Sequence, residues 1–145
     1  MAGIGKKFEK IFFEHFFPTE NFGTSFGFKD TRDSELDSKQ GTDFLYRKIP
    51  FDITTDFSGK KDTMSIGYQK MFSLSGTLVY IGIREGNGRI KFDTPVVVIG
   101  VIFSLDVSYF EMETVAIKFD KNWNKIFDLC SDLWNNYMFN KEERI

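Results

Sequence analysis

The sequence predicts an α/β protein with one central mixed β-sheet, flanked by an N-terminal and a C-terminal helix. Apolar residues recur at helical spacing near both ends of the chain, whereas the side chains of residues 51–57 alternate with the period of two that is typical of a strand. The β-branched run TPVVVIGVIFSL is too short to cross a bilayer and indicates a buried strand. The chain of 145 residues has the size of one domain, 1–145, with a single core to which 18 phenylalanines contribute.

The first half of the chain begins with an amphipathic helix, because apolar and charged residues alternate there with a helical period and Pro18 follows. A polar, acidic loop separates this region from two strands joined by a tight Ile49-Pro50 connection. The predicted elements of this half are a helix at 3–17, a short strand at 26–29, and strands at 42–48 and 51–57.

The second half contains the most apolar strands and the clearest helix. Alternation of Val115, Ile117 and Phe119 predicts one further strand, and Asp120 is placed to cap the last helix. The apolar stripe of that helix indicates a face packed on the core. The predicted elements are a loop entering a short helix at 58–72, a strand at 76–85, one long or two successive strands at 89–107, a strand at 111–120, and a helix containing 123–138.

Charge and composition exclude several classes of protein. A net charge of −2 argues against a protein whose whole surface binds nucleic acid, so any contact with nucleic acid is expected to be local. The lysine clusters at 60–70 and 6–10 are candidates for such a patch, although short clusters of this kind are usually solvated faces. One histidine and one cysteine rule out a Cys/His zinc site, and Cys130 fits a buried thiol in a reducing cytosol. We therefore expect a cytoplasmic protein without a membrane segment.

Two carboxylates inside the strands carry the functional prediction. Asp43 opens one strand and Asp52 lies near the start of the next, so an antiparallel hairpin brings both toward the same end of the pair. Two carboxylates held together repel each other unless a cation or a proton sits between them. This arrangement suits Mg²⁺ or Mn²⁺, which need only one or two protein carboxylates besides water and substrate phosphate.

This pattern resembles the PD-(D/E)XK, or restriction-endonuclease-like, nuclease superfamily over roughly residues 4–85. The resemblance implies a core of a helix, a three-strand meander, a helix and a further strand. It also implies that Asp43 and Asp52 bind the metal and that Glu14 or Glu9 is the additional helix acid. Thr54 occupies the position of the family's lysine, and Gln40-Gly41-Thr42 stands where a proline would precede the first acid.

The first hypothesis is therefore a metal-dependent nuclease. In it Asp43 and Asp52 hold Mg²⁺ or Mn²⁺ and Glu14 assists them. Thr54 orients water, and Lys60 or Lys61 contacts the scissile phosphate in place of the missing lysine.

The second hypothesis is a non-catalytic interaction protein, such as an immunity protein or an inhibitor from a mobile element. It rests on the net negative charge of the chain and on the acidic loop at 30–37, both of which favour binding to a basic protein partner. The aspartates are then edge-strand residues paired with Arg47 and Lys48. A homodimer built on aromatic surface is compatible with either hypothesis.

Overall fold

The computed structural model describes residues 3–16, 28–32, 41–55, 64–86 and 91–143. Within them the chain forms three helices and six strands. These are α1 (Ile4–Phe16), β1 (Phe28–Asp30), β2 (Phe44–Tyr46), β3 (Ile49–Thr54), β4 (Met64–Leu74), β5 (Thr77–Gly86), β6 (Lys91–Ile102), α2 (Tyr109–Lys121) and α3 (Trp123–Glu143). No helix in these ranges is long and apolar enough to cross a membrane.

The strands form one mixed sheet in the order β1-β2-β3-β6-β5-β4. Strands β1 to β3 form one antiparallel meander, and β4 to β6 form a second. The two meanders meet where β3 pairs in parallel with β6, from Phe51 opposite Val97 to Thr54 opposite Gly100. The predicted mixed sheet with a helix at each end of the chain is thus confirmed.

The main core lies between the helices and one face of this sheet. Alternate residues of β6, namely Val97, Ile99 and Val101, are fully buried there. An aromatic cluster joins the layers, with the rings of Phe44 and Phe51 stacked at 5.0 Å between centroids. The intervening residues of the strands project from the opposite face of the sheet, which carries a smaller apolar cluster around Val98.

The predicted strand at 111–120 is wrong, because this segment belongs to helix α2. The buried side chains Met112, Val115, Ala116 and Phe119 have the spacing of one helix face, whereas Ile117 is only half-buried. The Ser108 hydroxyl caps the helix by accepting a hydrogen bond from the Glu111 N–H at 3.1 Å. The predicted cap, Asp120, therefore lies in the last turn of α2, and α3 begins at Trp123.

The short helix predicted within 58–72 is also not found in the described part of that segment, where β4 pairs antiparallel with β5. Tyr68 and Phe72 lie on one side of β4 and pack against the main core. Gly67 has a φ of 86°, and the register with β5 shifts between Met64 and Gln69, as expected for a bulge. A strand therefore stands where the nuclease resemblance implies a helix.

The hairpin turn lies two residues earlier than predicted. Arg47 and Lys48 have φ values of 48° and 71°, and Tyr46 pairs directly with Ile49, which defines a two-residue turn. Pro50 belongs to β3, opposite Leu45. The shift sets the register that brings the two aspartates close together.

Candidate acid-pair site

The carboxyl groups of Asp43 and Asp52 meet at the start of β2. The paired register of β2 and β3 ends with Phe44 opposite Phe51, and Asp43 directly precedes β2, where its side chain forms a hydrogen bond with Asp52. Because Phe51 and Ile53 point into the helix-side core, Asp52 projects from the other face of the sheet, and its hydrogen bond with Asp43 places both carboxyl groups there. Each is only 5% exposed.

Backbone hydrogen bonds fix Asp43 in this position. Its N–H donates to the Phe51 carbonyl at 2.8 Å, and its carbonyl accepts from the Thr31 N–H at 2.9 Å. Its side chain continues the strand pairing, because Oδ2 accepts the Ile53 N–H at 3.0 Å. The carboxyl group thus satisfies a buried backbone donor at the point where β2 begins.

Asp43 holds its proton at neutral pH. Burial, followed by the charge of Asp52 and a hydrogen bond to it, raises the pKa of Asp43 far above its ordinary value, and the Ile53 N–H opposes this only in part. The neutral Asp43 therefore donates a hydrogen bond to Asp52. The charge of Glu9 on α1 adds a smaller contribution in the same direction.

A buried arginine completes the site. Nη1 of Arg84 lies 3.4 Å from Oδ2 of Asp52, and Nε donates to the Gly86 carbonyl at 3.1 Å. Arg84 lies on β5, so its side chain crosses β6 to reach β3. Its guanidinium carbon is 5.3 Å from the centre of the Phe92 ring, and the residue is 6% exposed.

The segment before Asp43 packs closely against the same aromatic ring. Gly41 has a φ of 60°, and a Cβ atom at this position would lie 2.9 Å from the Phe92 ring. Thr42 is buried, and its carbonyl accepts a hydrogen bond from the Thr31 hydroxyl at 2.7 Å. Glycine is therefore required at position 41 both for conformation and for space.

The other predicted site residues lie in different parts of the fold, and only some of them are near the acid pair. Thr54 is 9% exposed and lies two residues beyond Asp52 on the same face of β3. Glu14 lines a groove between α1 and residues 105–112, and neither aspartate lines that groove. Glu9 is thus the acid on α1 whose charge acts on Asp43. Lys60 and Lys61 lie outside the described residues.

Arg47 and Lys48 are not the partners of the acid pair. Both are exposed at the hairpin turn, and the Arg47 guanidinium lies 5.2 Å from the Tyr46 ring. The expectation that they pair with the aspartates is therefore wrong, since the cation beside Asp52 is Arg84. The sequence signal for Arg84 was a single charge at the end of the apolar stretch LVYIGIR.

The donor atoms of the pair fit a small divalent cation. One oxygen of Asp43 accepts the Ile53 N–H and one oxygen of Asp52 lies next to Arg84, so a metal bound here would have to displace the proton that Asp43 holds. Across the described ranges, no group of three or more His, Cys, Asp or Glu side chains converges as a metal site. Water and substrate would have to complete the coordination of any ion held here.

Comparisons with known proteins identify no relative from which the role of these residues could be inferred. No family model, no curated protein and no solved structure matches the chain.

Proposed function

We propose that this protein hydrolyses phosphodiester bonds of nucleic acid with Mg²⁺ or Mn²⁺ held by Asp43 and Asp52. The observation that supports the proposal is the contact between these two buried carboxyl groups, one at the start of β2 and the other on β3. Their proximity makes the doubly ionised pair unfavourable, as the raised pKa of Asp43 indicates. A divalent cation relieves the same repulsion that the proton relieves now.

Arg84 takes over a part of the role that the resemblance gives to lysine. Thr54 carries no charge, whereas the Arg84 guanidinium lies next to Asp52. In the proposal Arg84 orients Asp52 and adds positive charge near the reacting phosphate, and Thr54 orients water. A bound divalent ion supplies Lewis acidity and lowers the pKa of a coordinated water. Lys60 or Lys61 remains the proposed contact to the phosphate.

Asp43→Asn is the variant that tests this proposal most cleanly. An asparagine retains an acceptor for the Ile53 N–H and a donor for Asp52, but it removes an anionic metal ligand. Metal-free protein, supplied with Mn²⁺, should cleave single-stranded or double-stranded DNA or RNA. The variant should lose activity by on the order of 100-fold or more, while Asp128→Asn, at an exposed site on α3, should retain it. Absence of cleavage by the parent protein, or full activity in Asp43→Asn, would reject the proposal.

A second candidate function is a non-catalytic interaction protein, such as an immunity protein or inhibitor that binds a basic partner. The observation that favours it is the burial of Asp43, Asp52 and Arg84, each 6% exposed or less, with their charges already balanced by a proton and a guanidinium. Such a cluster is complete as a structural element. A stable stoichiometric protein complex, together with no Mn²⁺ binding by calorimetry, would favour this function over hydrolysis.

We also propose a cytoplasmic location. The thiol of Cys130 is fully buried in the main core, and burial raises its pKa to about 12. A single unreactive thiol suits a reducing compartment.

A further inference from the structure

The groove that Glu14 lines is separate from the acid pair and lies between α1 and the segment that leads from β6 into α2. Its volume is about 450 Å³. Ile4 and Ile11 form its wall on α1, and Val107 and Met112 form the facing wall. Ile11 and Met112 also belong to the main core, so the floor of this groove is anchored in the fold.

The mouth of the groove carries apolar surface that is open to solvent. Leu105 and Tyr109 line it with 96% and 58% of their surfaces exposed. A ligand that covers these side chains removes apolar area from water, which is favourable by roughly 25 cal/mol for each Å². Apolar side chains therefore line the groove both at its floor and at its mouth.

Two lysines give the groove its charge. Lys7 and Lys10 line it from α1, and Glu14 is the one acidic residue among the described residues of the lining. Neither lysine side chain forms a hydrogen bond or an ion pair with a residue in the described ranges. Their ammonium groups are thus available to an anionic ligand, and the charge of the lining is positive.

We propose that this groove binds a small anionic amphiphile, namely a carboxylate on an alkyl chain. The volume lies within the ~300–1,000 Å³ typical of small-molecule sites, and it is too small to take a partner helix with its side chains. The alkyl chain lies along the apolar walls, and the carboxylate meets Lys7 and Lys10. This proposal is independent of the acid pair and of its chemistry.

Calorimetric titration with dodecanoate, below its micelle concentration, tests the proposal on the full chain. We expect one binding site, and dodecyltrimethylammonium, with the same alkyl chain and the opposite charge, should bind at least about tenfold more weakly. Equal affinity for the two amphiphiles, or no binding of dodecanoate, would overturn the proposal.

Matched variants locate the site. Lys7→Gln with Lys10→Gln should weaken dodecanoate binding about tenfold, because charge-assisted hydrogen bonds to the carboxylate are lost. Lys121→Gln with Lys125→Gln changes the net charge equally at exposed positions outside the groove and should leave the affinity unchanged. Leu105→Asn should weaken binding of the alkyl chain without unfolding the protein, since Leu105 is almost fully exposed. Equal effects of the two lysine pairs would place binding elsewhere and contradict the proposal.

Discussion

Nη1 of Arg84 lies 3.4 Å from Oδ2 of Asp52, although the two residues belong to strands separated by β6. The side chains of both residues are less than 10% exposed. Water therefore does little to screen their interaction, and each charge depends on the other for compensation. This ion pair joins the two meanders of the sheet on the face opposite the helices.

Arg84→Met is expected to destabilise the fold strongly. The substitution keeps an apolar stem but leaves Asp52 buried without its guanidinium, a change that typically costs about 3–5 kcal/mol. Urea unfolding at neutral pH measures the loss. Arg47→Met serves as the control, because Arg47 is exposed at the hairpin turn and should change stability by less than about 1 kcal/mol. A similar loss of stability in both variants would show that the buried Arg84–Asp52 ion pair contributes no more to stability than an exposed arginine does.

Asp43→Asn and Asp43→Ala should differ clearly in stability. The asparagine reproduces the hydrogen bonds of the neutral Asp43, so the free energy of unfolding at about pH 4, where Asp43 of the unfolded chain is only partly ionised, should stay within about 1 kcal/mol of the parent. The alanine leaves the Ile53 N–H without its acceptor and should cost about 1–3 kcal/mol. Equal losses in the two variants would contradict the hydrogen bonding described for Asp43.

Stability should depend on pH through Asp43. The pKa of Asp43 is raised on folding, mainly by burial and then by Asp52. The folded state therefore binds more protons than the unfolded state above about pH 4. The contribution of this group is fully present below that pH and is lost as the pH rises toward the folded pKa, with a slope of at most ~1.4 kcal/mol per pH unit.

Urea midpoints of the parent and of Asp43→Asn, measured from pH 5 to pH 8, test this dependence. The variant has no titrating group at position 43, so its free energy of unfolding should increase relative to that of the parent as the pH rises. Parallel curves for the two proteins would mean that Asp43 titrates alike in the folded and unfolded states.

Local sequence patterns predicted the mixed sheet, its terminal helices and the nearness of Asp43 to Asp52. The turn was misplaced because Pro50 has the chemistry of a turn residue, whereas Arg47 and Lys48 rarely adopt the left-handed conformation that they have here. The contact between the Asp43 and Asp52 side chains depends on the observed register of β2 and β3, because a shift of one residue would move either side chain to the other face.

Helix α2 and Arg84 were missed for different reasons. Val115 and Phe119 are four residues apart, a spacing that fits one face of a helix as well as alternate positions of a strand. The partner of Arg84 is 32 residues away in the sequence and two strands away in the sheet. Neither periodicity nor local propensity encodes such a contact. The arginine that compensates the charge of Asp52 could therefore be identified only from the structure.

Titration of the metal-free protein with Mn²⁺, by calorimetry in buffers of different ionisation enthalpy, tests the proposed metal site most directly. The pair holds a proton that a metal must displace, so Mn²⁺ binding should release about one proton from Asp43, and its affinity should rise about tenfold per pH unit near neutrality. Asp43→Asn should abolish binding while remaining folded. An absence of Mn²⁺ binding by the parent protein, or equal binding by Asp43→Asn, would contradict the account and leave the acid pair as a structural element.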